Sequence, residues 1–264
     1  MVRGSQRNGL TGTALIRLLA RLSDADAPES KQAFAERLSQ WLGWTDAISL
    51  SAALNGGPAT GRPGARASVS AEEAEVQRVR AALARAVADD GAANTDQKRM
   101  NLHAATDVAP MTNTADFSPH RRRYLAQQQA MEAGIGPLRE RLRARLAGRS
   151  AAMAQLAAVD AVMEQVLGAR EYQLLSTVPA LLEKHFKRLY QAEQADQAAQ
   201  ASAVVPDDAT DNAPDVAQAP FEPSAAPPGA WLDTFRQDMR SVLLAELDLR
   251  MQPVEGLLEA LRMP

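Results

Sequence analysis

SPHRRRYLAQQQAMEAGIGPLRERLRARLAGR, residues 118–149, reads as helix from its spacing alone. Met131, Ile135, Leu138 and Leu142 recur at 4, 3, 4 intervals, which puts them on one side of a 3.6-residue helix and on no single face of a strand. Ser118-Pro119 has the cap-then-proline order of a helix start. Gly134, Gly136 and Pro137 are expected to kink or break the helix, because proline lacks the N–H of the helical ladder and its ring crowds the preceding turn. Beyond Gly148 the apolar stripe resumes in a shifted frame with Met153, Leu156, Met163 and Leu167, and Pro179 is a further weak point. Residues 118–199 are therefore expected to form two to four long helices rather than one rod of about 120 Å.

The same period runs outward from this block. Leu15, Leu18, Leu19 and Leu22 make one stripe, and Phe34, Leu38, Trp41 and Leu42 a second. Gly43 ends that helix, Thr45 is placed to cap the next, and Ala47, Leu50 and Leu54 are expected on one side of it. Residues 12–54 would then be a small helical domain, too small to be stable without leaning on other segments. Residues 70–89 open with Ser70 and Glu73, a capping-box pair, and carry Val76, Val79, Leu83 and Ala86 as a narrow seam that needs a partner helix. Residues 230–264 show Leu232, Phe235, Met239, Val242 and Leu243, an interruption at Pro253, and then Val254, Leu257, Leu258 and Leu261.

Composition supports helices throughout. Among 264 residues there are 53 alanines and 30 leucines but only three isoleucines and three tryptophans. Strands favour β-branched and aromatic residues, so a large sheet is excluded on this account. Zero cysteine removes disulfides, thiolate metal sites and cysteine nucleophiles together. The fold class expected is all-α: elongated, amphipathic, coiled-coil-like helices with an N-terminal small helical domain and disordered linkers. The flexible parts are a basic tail at 1–11, a Gly/Pro linker at 55–69, a linker at 90–117 and an acidic linker at 200–229. That last segment has six prolines, five acids and no Lys or Arg, a composition that cannot bury enough apolar surface to offset ordering entropy. No run reaches the roughly 18 apolar residues of a membrane span, and a cytoplasmic location is expected.

Three stretches carry a family resemblance: Ser30 to Leu54 (SKQAFAERLSQWLGWTDAISLSAAL), Ser118 to Met131 (SPHRRRYLAQQQAM) and Met163 to Leu189 (MEQVLGAREYQLLSTVPALLEKHFKRL). They resemble an uncharacterised bacterial family of the domain-of-unknown-function kind. The resemblance implies a bacterial cytoplasmic protein and brings no activity and no catalytic residues to carry over.

Motifs for chemistry are missing. His103, His120 and His185 form no metal-ligand pair and are expected as surface histidines. There is no nucleophile elbow and no phosphate loop. No catalytic, cofactor-binding or metal-binding residue is assigned, and no cofactor is expected. Charge is the distinctive feature. Residues 119–149 hold eight arginines against Glu132 and Glu140, a net charge of +6. Guanidinium forks suit carboxylates and phosphates, so Arg121, Arg122, Arg123, Arg139, Arg141, Arg143 and Arg145 are the candidate anion- or partner-binding set. They can form a solvated face that meets the chain's own acidic linker, a nucleic-acid surface, or a site for an acidic protein or anionic lipid. For lipid, the narrow stripe favours a partner helix over a bilayer. Trp41 and Trp44, flanking Gly43, are expected to anchor the N-terminal helices, with a partner-binding aromatic pair as the alternative.

Four amphipathic seams in so small a chain suggest a non-enzymatic interaction or adaptor protein. Its helices would pair with another protein or with a second copy. A nucleic-acid-associated protein using the arginine-rich helix 119–149 is the alternative.

Overall fold

A computed structural model describes residues 13–23, 34–55, 69–103, 116–203 and 229–263. The expected tail 1–11, the linker core at 56–68 and most of the acidic linker 200–229 lie outside the described residues, as do the side chains of Phe34, Leu38 and residues 90–103. The described chain is all-α: α1 (Ala14–Ser23), α2 (Phe34–Trp41), α3 (Trp44–Asn55), α4 (Val69–His103), α5 (Ser118–Ala147), α6 (Ala151–Leu175), α7 (Val178–Ala203) and α8 (Ala230–Arg262). No strand occurs among the described residues.

α8 is the common partner. It packs on α5 over the largest interface, and on α4, α7 and α1 as well. The sequence explains why one helix can serve these four neighbours and touch α6 as well. Phe235, Met239, Val242, Leu243, Leu247, Met251, Val254, Leu257, Leu258 and Leu261 are all buried, more than a single stripe supplies. The seams of the other helices close on it. Met131, Leu138 and Leu142 of α5 are fully buried, Ile135 nearly so, and the seam extends to Tyr124 and Leu146. Val76, Leu83 and Val87 of α4, and Leu15 and Leu22 of α1, are buried too. The seams of α1, α4, α5 and α8 are thus covered inside the chain, whereas the expected α6 stripe is not buried: Met153, Met163 and Leu167 are half-buried and Leu156 is 41% exposed.

Cross-helix ion pairs set the directions. Glu72 meets Arg145 at 3.0 Å and Glu75 meets Arg141 at 3.3 Å, so α4 runs antiparallel to α5. Arg262 reaches Glu73 at 2.7 Å while Arg80 reaches Asp248, so α4 also runs antiparallel to α8.

Several boundaries differ from the expectation. α5 continues through Pro137 and α8 through Pro253. Buried residues on both sides of each proline, Ile135 with Leu138 and Met251 with Val254, hold the helix through a defect that costs about 3 kcal/mol in isolation. Gly148 does end α5, and Ser150 caps α6 by accepting the Met153 N–H at 3.2 Å. α4 runs on to His103, past the boundary expected at residue 89. Gly229 opens α8 at φ +91°, a conformation that glycine takes without a Cβ penalty.

Residues 12–54 do lean on other segments. α1 packs on α7 and α8, whereas α3 lies along α6. α1 and α3 thus attach to different parts of the bundle.

Candidate functional site

The arginine-rich helix spends most of its charge within the chain. Arg139 bonds Asp160 at 2.7 and 2.9 Å and reaches Glu164 at 3.3 Å. Arg143 bonds Asp160 at 3.2 Å and also Glu164. Both guanidinium groups are largely shielded, at 14% side-chain exposure each. Arg141 and Arg145 hold α4 through Glu75 and Glu72, and Arg149 donates to the Leu261 carbonyl and to that of Met263 at 3.2 Å. The structure therefore divides the candidate set. Arg139, Arg141, Arg143 and Arg145 are interhelix struts. Arg121 and Arg122 are exposed at the start of α5, with Arg123 half-buried beside them. There the Asp116 carboxylate accepts the Ser118 N–H at 2.8 Å. That hydrogen bond first, with nearby Arg122 in support, holds its pKa below the usual carboxylate value. Phe117 is the N-cap and makes no side-chain cap bond, and Asp116 rather than Ser118 satisfies a first-turn N–H.

Two histidines expected on the surface are buried. His120 sits among Phe117, Phe186 and Phe235 with ring centroids 5.1–6.4 Å away. Burial, reinforced by Arg236 and Arg123, pushes its pKa down to about 4. His185 bonds Asp238 at 2.8 Å and Arg188 at 3.0 Å. His103 lies outside the described side chains. The helical period places His120 one turn before Tyr124 on the apolar face, which was the available signal.

Tyr124 leads to a buried network that sequence reading missed. Glu246 has no solvent exposure. It accepts Tyr124 Oη at 2.5 Å, Gln128 Nε2 at 3.0 Å and Arg250 Nε at 3.0 Å. Desolvation, with the Glu246 charge adding to it, drives the Tyr124 pKa far upward, so the phenol stays protonated as a donor. Met239, Val242, Leu243, Glu246 and Arg250 share one helical stripe, which was the available signal. A carboxylate so fully bonded and closed off holds α5 to α8 and offers no atom to a substrate.

The remaining feature is the WLGW element, Trp41 to Trp44. Gly43 caps α3: its carbonyl accepts the Ala47 N–H at 3.0 Å, and Asp46 Oδ2 reaches back to its N–H at 3.0 Å. This is the reciprocal half of a capping box, so Gly43 and Asp46, rather than Thr45, start the helix. Neither tryptophan is a core anchor. Trp41 is 37% exposed and stands 6.0 Å from the Arg170 guanidinium. It edges a groove of about 490 Å³ between α5, α6 and α8, onto which Gly136 and Gly168 open. Trp44 is 83% exposed, with Ile48 and Leu54 each about half exposed on the same helix. α3 buries no residue at all. Leu50 and Ala53 are half-buried, marking the side toward α6, so Ala47 and Leu54 do not join Leu50 as expected. The outward side is an open face that presents Trp44, Ala47, Ile48, Ser51, Ala52 and Asn55. An apolar helix is ordinarily covered on all sides, and adjoining exposed apolar groups mark interaction sites.

No group of three or more acidic or histidine side chains able to hold a metal ion occurs among the described residues, and none of their helices is long and apolar enough to cross a membrane. The geometry defines an all-α bundle with an internally paired basic helix and one bare apolar helix at its edge. The chain belongs to the family described as protein of unknown function (DUF3348), which matches residues 1–263. Neither the curated proteins nor the solved structures give a match.

Proposed function

We propose that this protein is a non-enzymatic interaction or adaptor protein, and that α3 is its docking face. The observation that carries the reading is the exposure of Trp44, Ile48 and Leu54 on a helix that buries nothing. Aromatic anchors of this kind supply most of the binding energy at protein interfaces. The seams of α1, α4, α5 and α8 are occupied by one another, and α3 is a described helix that buries no residue, although α6 also leaves Leu156, Tyr172 and Leu174 exposed. The alternative of a nucleic-acid surface draws no support from Arg139, Arg141, Arg143 and Arg145. Their guanidinium groups are engaged with Asp160, Glu164, Glu75 and Glu72, and phosphate binding needs free cations.

The test is co-purification of the tagged full-length chain from its own cells after nuclease treatment, with wild type and Trp44→Glu side by side. Stoichiometric polypeptides that survive nuclease and are lost with Trp44→Glu agree with the reading. A profile unaltered by Trp44→Glu contradicts it.

A further inference from the structure

We propose that the groove between α5, α6 and α8 binds a small amphipathic amine, a molecule with an apolar body and one terminal cationic group. The inference does not rest on the outer face of α3. The groove is a recess in the helix packing. α5 packs on both α6 and α8, whereas α6 and α8 barely meet each other, so α5 is a floor between two walls. The volume of about 490 Å³ falls within the roughly 300–1,000 Å³ of small-molecule sites. Ile135, Met163, Leu167, Leu249 and Pro253 give an apolar lining. Gly136 of the floor and Gly168 of one wall sit inside helices, where glycine is destabilising relative to alanine. A Cβ on either would meet nothing within 4 Å, so close packing does not call for glycine there. Both leave room in the groove.

Charge selects the occupant. α5 and α6 are antiparallel: Gln128 reaches the Leu175 carbonyl at 3.4 Å, and Arg139 reaches Glu164 at 3.3 Å. These two ties are equally spaced along both helices, so between them Glu132 comes opposite Glu171, and Ile135 opposite Gly168. All four line the groove. Two carboxylates thus face each other in a helix pair that elsewhere matches Arg139 and Arg143 to Asp160 and Glu164. Glu132 is exposed and has no ion-pair partner among the described residues. The nearest cation to Glu171 is Arg250 at 3.8 Å, and Arg250 gives Nε and Nη2 to Glu246 at 3.0 Å. Three carboxylates therefore share one guanidinium at this end. A ligand ammonium would offset the excess and gain charge-assisted hydrogen bonds, whereas an anionic ligand would add to it. At the mouth, the Trp41 ring already draws the Arg170 guanidinium to 6.0 Å, an attraction that an organic cation shares.

The probe is 4-phenylbutylamine, with 4-phenylbutyric acid and 4-phenylbutanol as partners of the same body and different head. Ligand-observed NMR titration of the full-length chain at low salt reads all three. The amine binds with a dissociation constant on the order of 1 mM, about tenfold more tightly than the acid or the alcohol. Gly168→Leu fills the groove and abolishes binding, while thermal unfolding stays at or above wild type because leucine is the better helix former. Glu132→Gln with Glu171→Gln in one chain weakens the amine about fivefold and leaves the alcohol unchanged. Trp44→Arg, on the outer face of α3, leaves the amine unaffected. The inference is overturned by an amine that does not bind up to about 20 mM, or by an acid or alcohol that binds as tightly. Amine binding that survives Gly168→Leu or the paired glutamine substitutions overturns it too, as does binding lost with Trp44→Arg.

Discussion

Replacing Glu246 by Gln changes one atom in the most enclosed polar site of the bundle. The carboxylate is wholly buried and accepts hydrogen bonds from Tyr124 at 2.5 Å, Gln128 at 3.0 Å and Arg250 at 3.0 Å. Glutamine keeps one acceptor oxygen and turns the other into a donor that faces donors. Either Tyr124 Oη or Arg250 Nε then loses its acceptor, while Gln128 Nε2, at 3.0 and 3.2 Å from the two oxygens, keeps one. Arg250, only 16% exposed, is left with Glu171 at 3.8 Å as its compensation. An unpaired buried donor costs about 1–3 kcal/mol, and breaking a buried ion pair from one side about 3–5 kcal/mol. Glutamine spares part of the second cost, so the expected loss is about 3 kcal/mol. Tyr124→Phe removes one donor with its acceptor still satisfied and is expected to cost about 1 kcal/mol. In the double variant the penalties overlap, because phenylalanine leaves no orphaned hydroxyl. Urea unfolding followed by circular dichroism measures all three. A Glu246→Gln chain within about 0.5 kcal/mol of wild type, or strictly additive penalties, would refute the network as a unit.

Three further outcomes follow from the same geometry. His120 has a folded pKa of about 4 against 6.5 for the free side chain, so the unfolded chain takes up the proton first as pH falls. The stabilisation is complete above about pH 6.5 and lost on the way down to pH 4, an effect of about 3 kcal/mol; the pH slope of urea midpoints checks this, and His120→Leu should flatten it. Asp160→Asn strips the partner shared by two guanidinium groups that are each 14% exposed. It should cost about 2 kcal/mol, and a midpoint equal to wild type would show that Glu164 alone suffices. Pro137 is exposed within α5, so Pro137→Ala restores a helical N–H without disturbing packing and should raise stability by about 1–3 kcal/mol in thermal unfolding.

Periodicity made the long helices legible and most of the core with them. Leu138 and Leu142, or Leu257 and Leu261, were marked by spacing alone, because a helix that buries one side writes its period into the chain. The partner of each stripe was not legible. Nothing local tells α5 that its seam meets α8 rather than another chain, and so the seams looked bare. The arginines misled for a related reason. Arg139 and Arg143 are free cations in sequence, and only the α5–α6 hairpin brings Asp160 and Glu164 against them. Pro137 and Pro253 show tertiary packing overriding a strong local signal. Trp41 and Trp44 show the reverse, since large aromatic groups are usually buried and here mark the uncovered edge.

The account stands or falls on α3 as the place where this protein docks. The direct measurement places a photo-activatable cross-linking amino acid at position 48 of the full-length chain, inside its own cells. The same probe at Lys184, an exposed position on α7, is the control. The account predicts a discrete polypeptide adduct from position 48, abolished by Trp44→Arg in the same chain. No adduct above the Lys184 control, in cells where the protein is folded and abundant, would contradict it.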